Sequence, residues 1–428
     1  MDTARTQRKK KEPLSGAFFW LTAFYFVYCA RPTDLLPAMS FVPLAKITGG
    51  LAALSLLFAA GKTPRKFKDR PKEANYLLIL IGWLFISGFL SPIWKGGAVS
   101  ATIDFGKVYI AWILSFLLIT TLERFRRIIF IQSASVAVVS LAAIVKGHSV
   151  PRLSGVIGGF YSNPNDMAFA IVLSLPFCVA FLLTAKGALR RSFWCFGIVA
   201  MMGALLLTAS RAGFVDLLIS GTVSLWNFGV RGKRLYLIAA TFFLGVLLLP
   251  LAGRTLIKRF AVISGGTVNS RIEESAYGSY EERKLLMLRA VDAIVHYPIS
   301  GVGVGDFAEY SGLWKDVHAS YLEIGAEGGI PALILYLMFF ACGFSNIRRL
   351  NKERTLSPQA ILFRGALQAS LIGFVVGACF APEAYQFFPY LTVCYTSVLL
   401  AMSREQALLH SEPARARAIP VRALAGAY

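Results

Sequence analysis

The residue with the clearest chemical potential is His318, in the run His318-Ala319-Ser320-Tyr321-Leu322-Glu323. It follows Asp316 and precedes Glu323 and Glu327. An imidazole titrating near neutrality can take a proton from a hydroxyl. Two arginines have the complementary character. Arg211 lies in the short run Thr208-Ala209-Ser210-Arg211-Ala212-Gly213, and Arg289 lies in a polar stretch upstream of the histidine. A guanidinium is planar and grips phosphate oxygens through two donors at once. Arg31, Arg152, Lys46 and Lys107 add four further cations. The chemistry this set suggests is a polyanion held by fixed positive charge beside a base that activates a hydroxyl.

The surrounding chain must place these residues together, and its composition says how. Of its 428 residues 56% are hydrophobic and 16% charged, against about 25% charged in soluble domains. About twelve apolar stretches fall near residues 15–30, 41–60, 74–94, 104–121, 127–145, 165–185, 192–208, 211–229, 234–252, 319–345, 361–381 and 387–403. A span needs about 20 apolar residues, and backbone in hydrocarbon must satisfy its own hydrogen bonds. The stretches lack the two-residue alternation of outer-membrane strands. The expected fold is an all-α polytopic membrane protein with about twelve transmembrane helices.

The net charge of +21 is distributed, not clustered for nucleic acid. Basic groups at Arg5–Lys11, Lys62–Lys72, Arg124–Arg127, Lys186–Arg191, Arg231–Arg234, Arg348–Arg354 and Arg404–Arg422 hold 28 of the 44 Lys and Arg, in every second connection. The opposite short connections hold Arg31, Lys95, Lys146, Arg152 and Arg211. That bias sets both termini in the cytoplasm and the one large loop outside. The resulting organisation is a basic arm at 1–14, nine helices over 15–252, a large loop over 253–318, three helices over 319–403 and a disordered tail at 404–428. Neither a disulfide framework nor a metal-ligand cluster is expected among the six cysteines and four histidines.

Local signals refine this picture. Leu285, Leu288, Val291 and Val295, with Met287 and Ile294 beside them, predict an amphipathic helix over 281–296 on the bundle or the membrane surface, ended by Tyr297-Pro298. Asn163-Pro164-Asn165-Asp166 reads as a helix cap. Glu327-Gly328-Gly329-Ile330-Pro331 predicts a kink. Gly301-Val302-Gly303-Val304-Gly305 matches no nucleotide-binding loop and would fold the large loop back onto the bundle. Plain structural roles compete at several sites. Lys46 and Lys107, each within about 10 Å of a helix end, could snorkel singly. Arg289 could pair with Asp292 at i+3, and His318 could make a helix-terminal hydrogen bond. Six cations at one level argue for a shared anion site.

The ordered set Arg152-Leu153-Ser154-Gly155, Asn163-Pro164-Asn165, Ser210-Arg211-Ala212-Gly213, His296-Tyr297-Pro298-Ile299-Ser300-Gly301-Val302-Gly303 and His318-Ala319-Ser320-Tyr321-Leu322-Glu323 resembles the O-antigen ligase and O-antigen polymerase family of bacterial inner-membrane glycosyltransferases. The opening Tyr28-Cys29-Ala30-Arg31-Pro32-Thr33-Asp34-Leu35-Leu36-Pro37 is similar to ligase-like members tied to exopolysaccharide or protein O-glycosylation. The resemblance implies a GT-C-like multi-pass fold with a large periplasmic loop. It implies transfer of a glycan from undecaprenyl pyrophosphate to a hydroxyl of a glycan, lipid A-core or protein acceptor, with no cofactor or metal. By position it casts His318 as the catalytic histidine and Arg211 and Arg289 as phosphate-binding arginines of the catalytic centre; the placement of charge, apart from the resemblance, adds Arg152, Lys107, Lys46 and Arg31 as pyrophosphate- or glycan-binding. One departure is Ala319, where the family usually carries a polar residue. A polymerase of the same family, and a lipid-linked glycan transporter or flippase, are the alternatives.

Overall fold

The computed structural model describes residues 14–35, 41–59, 63–148, 150, 152–261, 271–353 and 356–417. The chain runs through α1 (Ser15–Ala30), α2 (Pro32–Leu35), α3 (Leu44–Phe58), α4 (Lys72–Phe89), α5 (Lys95–Leu118), α6 (Leu122–Lys146), α7 (Pro164–Thr184), α8 (Ala188–Leu207) and α9 (Arg211–Ser224). It continues through α10 (Tyr236–Ala261), α11 (Arg271–His296), α12 (Phe307–Tyr310), α13 (Ser320–Lys352), α14 (Pro358–Gly377) and α15 (Phe387–Arg417). Among the described residues there is no strand. Each of the twelve apolar stretches coincides with a helix. Seven helices are long and apolar enough to cross a membrane: α5, α6, α7, α8, α9 with its π-helical extension to Val230, α13 and α14. α3 and the first part of α10 are shorter apolar helices. The basic arm lies outside the described residues up to residue 13. α15 continues as helix to Arg417, into the segment expected as a tail from residue 404; residues 418–428 lie outside the described residues.

Helix α7 is the most enclosed of the candidate spans. It packs on α14, α8, α6 and α9, and α13 packs on α4 and α15. Several buried polar groups inside the bundle are paired across helices, which offsets the cost of removing them from water. Tyr25 Oη shares a proton with Ser115 Oγ at 2.8 Å, and Tyr395 Oη donates to Gln132 Oε1 at 2.9 Å. Asn346 Nδ2 donates to Glu73 Oε1 at 2.7 Å.

The feature that positions the site is the break in α13. Gly329 adopts φ 74°, ψ −177°, a region essentially reserved for glycine. Pro331, two residues on, has no N–H to offer the Glu327 carbonyl, and the Ile330 N–H bonds Pro298 O at 2.8 Å instead of closing the helical turn. The carbonyls released by the break are taken by the glycine loop. Val302 N–H donates to Ala326 O and Gly303 N–H to Glu327 O, both at 2.9 Å. Trp83 Nε1 donates to Gly328 O at 2.8 Å. The loop is pinned on its other side to the α4–α5 turn, where Ser91 Oγ reaches Val302 O at 2.7 Å and Asp306 Oδ2 at 2.6 Å. The glycines are needed because backbone meets backbone: a Cβ on Gly301 would lie 2.4 Å from Glu327 main-chain atoms.

Gly329→Ala should therefore lose about 1–3 kcal/mol from backbone strain, and more from the clash, since its Cβ would sit 2.1 Å from Ile299 O. Gly82→Ala, within α4 and with nothing inside 4 Å of the new Cβ, should be neutral or stabilise by roughly 0.5–1 kcal/mol. Thermal unfolding in detergent compares the two; equal melting temperatures would contradict the strain argument.

Candidate functional site

The Arg211 turn is built from capping chemistry. Ser210 accepts the Gly213 N–H at 3.1 Å as the N-cap of α9 and donates to Asn165 Oδ1 at 2.7 Å. Asn165 belongs to the first turn of α7, where Asn163 caps as expected, accepting the Asn165 N–H at 2.9 Å with Pro164 in the first helical turn. Ala209 sits at φ 48°, a left-handed position that turns α8 sharply into α9. Arg152 Nε donates to Thr208 O at 2.8 Å. Arg152 therefore braces the turn that presents Arg211, and both are half-buried.

His318 lies two residues before α13, half-buried, with Ala319 as the N-cap position. Its Nδ1 is 3.1 Å from Asp316 O. A carbonyl only accepts, so Nδ1 carries the hydrogen and Nε2 keeps the lone pair of a base. Burial pulls the imidazole pKa below its ordinary value; the Arg283 charge is the next cause, and Lys315 acts the same way, while the Asp316 carbonyl and Glu282 oppose them. Asp316 also feels Asp166 at the start of α7, which brings the histidine segment and the α7–α9 cap to one end of the bundle.

Among the α11 arginines it is the Arg283 charge that acts on the His318 imidazole. Lys315 Nζ pairs with Glu282 Oε1, so the segment leading to His318 is tied to the turn of α11 that carries Arg283. Arg289, expected at the same site, is set apart from Arg283 on the helix. Arg289 is exposed, six residues further along, and at 100° per residue six residues place it on a different helix face. The anticipated Arg289–Asp292 pair is replaced at Asp292, which accepts Tyr310 Oη at 2.7 Å and lies 3.2 Å from His296 Nδ1.

Helix α11 packs one face on the bundle and leaves the expected apolar stripe exposed, as a helix on a membrane surface would. Leu286, Ala290 and Ala293 are fully buried against Val302, Phe307, Val317 and Ala326. Leu285, Leu288, Val291 and Val295 are exposed. Two alanines on the buried face let α11 approach α13 closely, which larger side chains would prevent. Of the remaining cations, Lys107 pairs with Asp104 on an exposed face of α5, and Lys46 is exposed on α3. Arg31 lies 3.4 Å from Asp34 and over the Tyr28 ring.

Residues 196–337, from α8 into α13, match the family model described as O-antigen ligase. Over this region the chain is similar to the O-antigen ligase family. Arg211, Arg283, Arg289 and His318 all fall inside the matched region; Arg31, Lys46, Lys107 and Arg152 fall outside it. Among curated proteins none matches the chain. This similarity, with the seven helices long and apolar enough to cross a membrane, supports a multi-pass membrane protein that resembles O-antigen ligases and polymerases over the matched region.

With a lowered imidazole pKa, the base form of His318 is present at neutral pH and is lost on acidification. The rate should be flat above pH about 6.5, the usual histidine value, and fall only below it. Arg283→Gln removes a cation that disfavours protonation, so the acid limb should move to higher pH. Profiles of kcat/KM against pH test this; an acid limb unmoved by Arg283→Gln would separate the two residues.

Proposed function

We propose that this protein transfers a glycan from undecaprenyl pyrophosphate to an acceptor hydroxyl at the periplasmic face of the bacterial inner membrane. The reading is supported by the position of His318 inside the region similar to O-antigen ligases, on a segment that Lys315 ties to Glu282 beside Arg283. The acceptor oxygen attacks the anomeric carbon while its proton passes to His318 Nε2. The bond from the anomeric carbon to the pyrophosphate oxygen breaks, and undecaprenyl pyrophosphate leaves with the electron pair. Arg283 and Arg211 face the charge that develops on the leaving diphosphate, and Arg152 positions the Arg211 turn. Holding donor and acceptor in line supplies the rest of the rate.

The sidedness rests on charge. The basic groups at Lys62–Lys72, Arg124–Arg127, Lys186–Arg191 and Arg231–Arg234 flank helix ends opposite to those carrying Arg152, Arg211 and His318, the bias expected of cytoplasmic connections.

Purified protein given a synthetic lipid diphosphate-linked glycan and an acceptor should form a new glycosidic bond. His318→Ala should lower transfer at least ~100-fold and keep donor binding. Arg283→Gln should weaken donor binding, whereas Arg289→Gln should leave transfer within about twofold. Unchanged turnover in His318→Ala, or an equal loss in Arg289→Gln, would remove the proposed roles.

A further inference from the structure

A second cationic site lies at the end of the bundle opposite His318. Glu123, Arg126 and Arg127 on α6, with Phe130 one turn further and Phe181 on α7, line a cavity of about 340 Å³. Phe181 is fifteen residues along α7 from Asp166, or about 22 Å at 1.5 Å per residue, so the cavity is remote from the histidine end. Its floor is rigid and apolar. Phe181 stacks on Trp194 of α8 with ring centroids 4.8 Å apart, and Phe130 meets both rings edge-on at 5.9 and 5.5 Å. Its rim is cationic. Arg126 is oriented by Gln359, which accepts from Nη1 at 2.8 Å, but its buried Nε has no partner among the described residues. Arg127 is exposed and makes no hydrogen bond or ion pair among the described residues. Lys186, Arg190 and Arg191, on the connection leading to Trp194, are exposed on the same end.

Two guanidiniums over an aromatic floor, at the ends of two helices apolar enough to cross a membrane, coincide with the level of lipid headgroups. We propose that this cavity binds the phosphodiester headgroup of an anionic phospholipid, with Arg126 and Arg127 on the phosphate and Phe130 and Phe181 against the first acyl carbons. Two positive groups against the single carboxylate of Glu123 select an anionic over a zwitterionic lipid. A free phosphate would satisfy the arginines and leave the aromatic floor without a partner. The site concerns the membrane and not the transferred glycan, so it stands apart from the proposed reaction.

The test is titration of the detergent-purified full chain with phosphatidylglycerol, phosphatidylcholine and inorganic phosphate, read by native mass spectrometry and thermal unfolding. Phosphatidylglycerol should bind and raise the melting temperature, and the other two should do neither. Arg127→Gln should weaken phosphatidylglycerol about fivefold and Arg126→Gln with Arg127→Gln about 25-fold. Arg127 is exposed and makes no hydrogen bond or ion pair among the described residues, so the single variant reads binding without loss of the fold. Affinity unchanged in Arg127→Gln, equal binding of phosphatidylcholine, or an equal shift by inorganic phosphate would each overturn the proposal.

Discussion

Everything at the histidine end depends on how the broken α13 satisfies its backbone. Two carbonyls leave the helical ladder at Ala326 and Glu327, and a third at Gly328 is reached from α4. Inside an apolar bundle an unpaired backbone group costs several kcal/mol, so the break can exist only where donors are supplied from outside the helix. The glycine loop supplies two of them and Trp83 the third. That requirement docks the large loop onto the bundle, sets where α11 ends, and fixes the start of α13. His318 is two residues before that start. Its location is thus a by-product of hydrogen-bond accounting several residues away.

The same docking arranges the charges. α11 lies against α13 through Leu286, Ala290 and Ala293. Lys315 and Glu282 tie the histidine segment to α11. The α7–α9 cap, held by Ser210 and Asn165, presents Arg211 from a separate part of the chain. In the proposed reaction these three unrelated local devices, a helix break, an ion pair and a serine cap, would together set the imidazole and the guanidiniums. Diphosphate is already a good leaving group, so placing charge and excluding misalignment is most of what such a reaction asks of a protein.

Much of this was legible in the sequence. The helices were readable because runs of apolar residues have few other ways to satisfy their backbone. Asn163 and Pro164 announced a cap, and Gly329 with Pro331 announced the kink, because each residue type has a conformational reason to be there. The apolar stripe of α11 was legible: Leu285, Leu288, Val291 and Val295 form an exposed apolar face. The face packed on α13 was not, because the stripe is as hydrophobic as the residues that are buried. Small residues at 290 and 293 were the available signal, since close packing of two helices favours alanine over leucine. Arg283 and Arg289 lie on different faces, so periodicity alone did not single out Arg283. Lys107 was also opaque: its partner Asp104 lies three residues before it, and a local pair of that kind neutralises a cation that charge counting had assigned to a ligand.

The most direct measurement is an experimentally determined structure of the protein in a lipid environment with a non-reactive lipid diphosphate analogue bound. The account predicts diphosphate oxygens within about 3 Å of the Arg283 and Arg211 guanidiniums, His318 Nε2 facing the anomeric position, and Arg289 turned away. A diphosphate held by Arg289, or lodged where neither Arg283 nor His318 can reach it, would contradict the account.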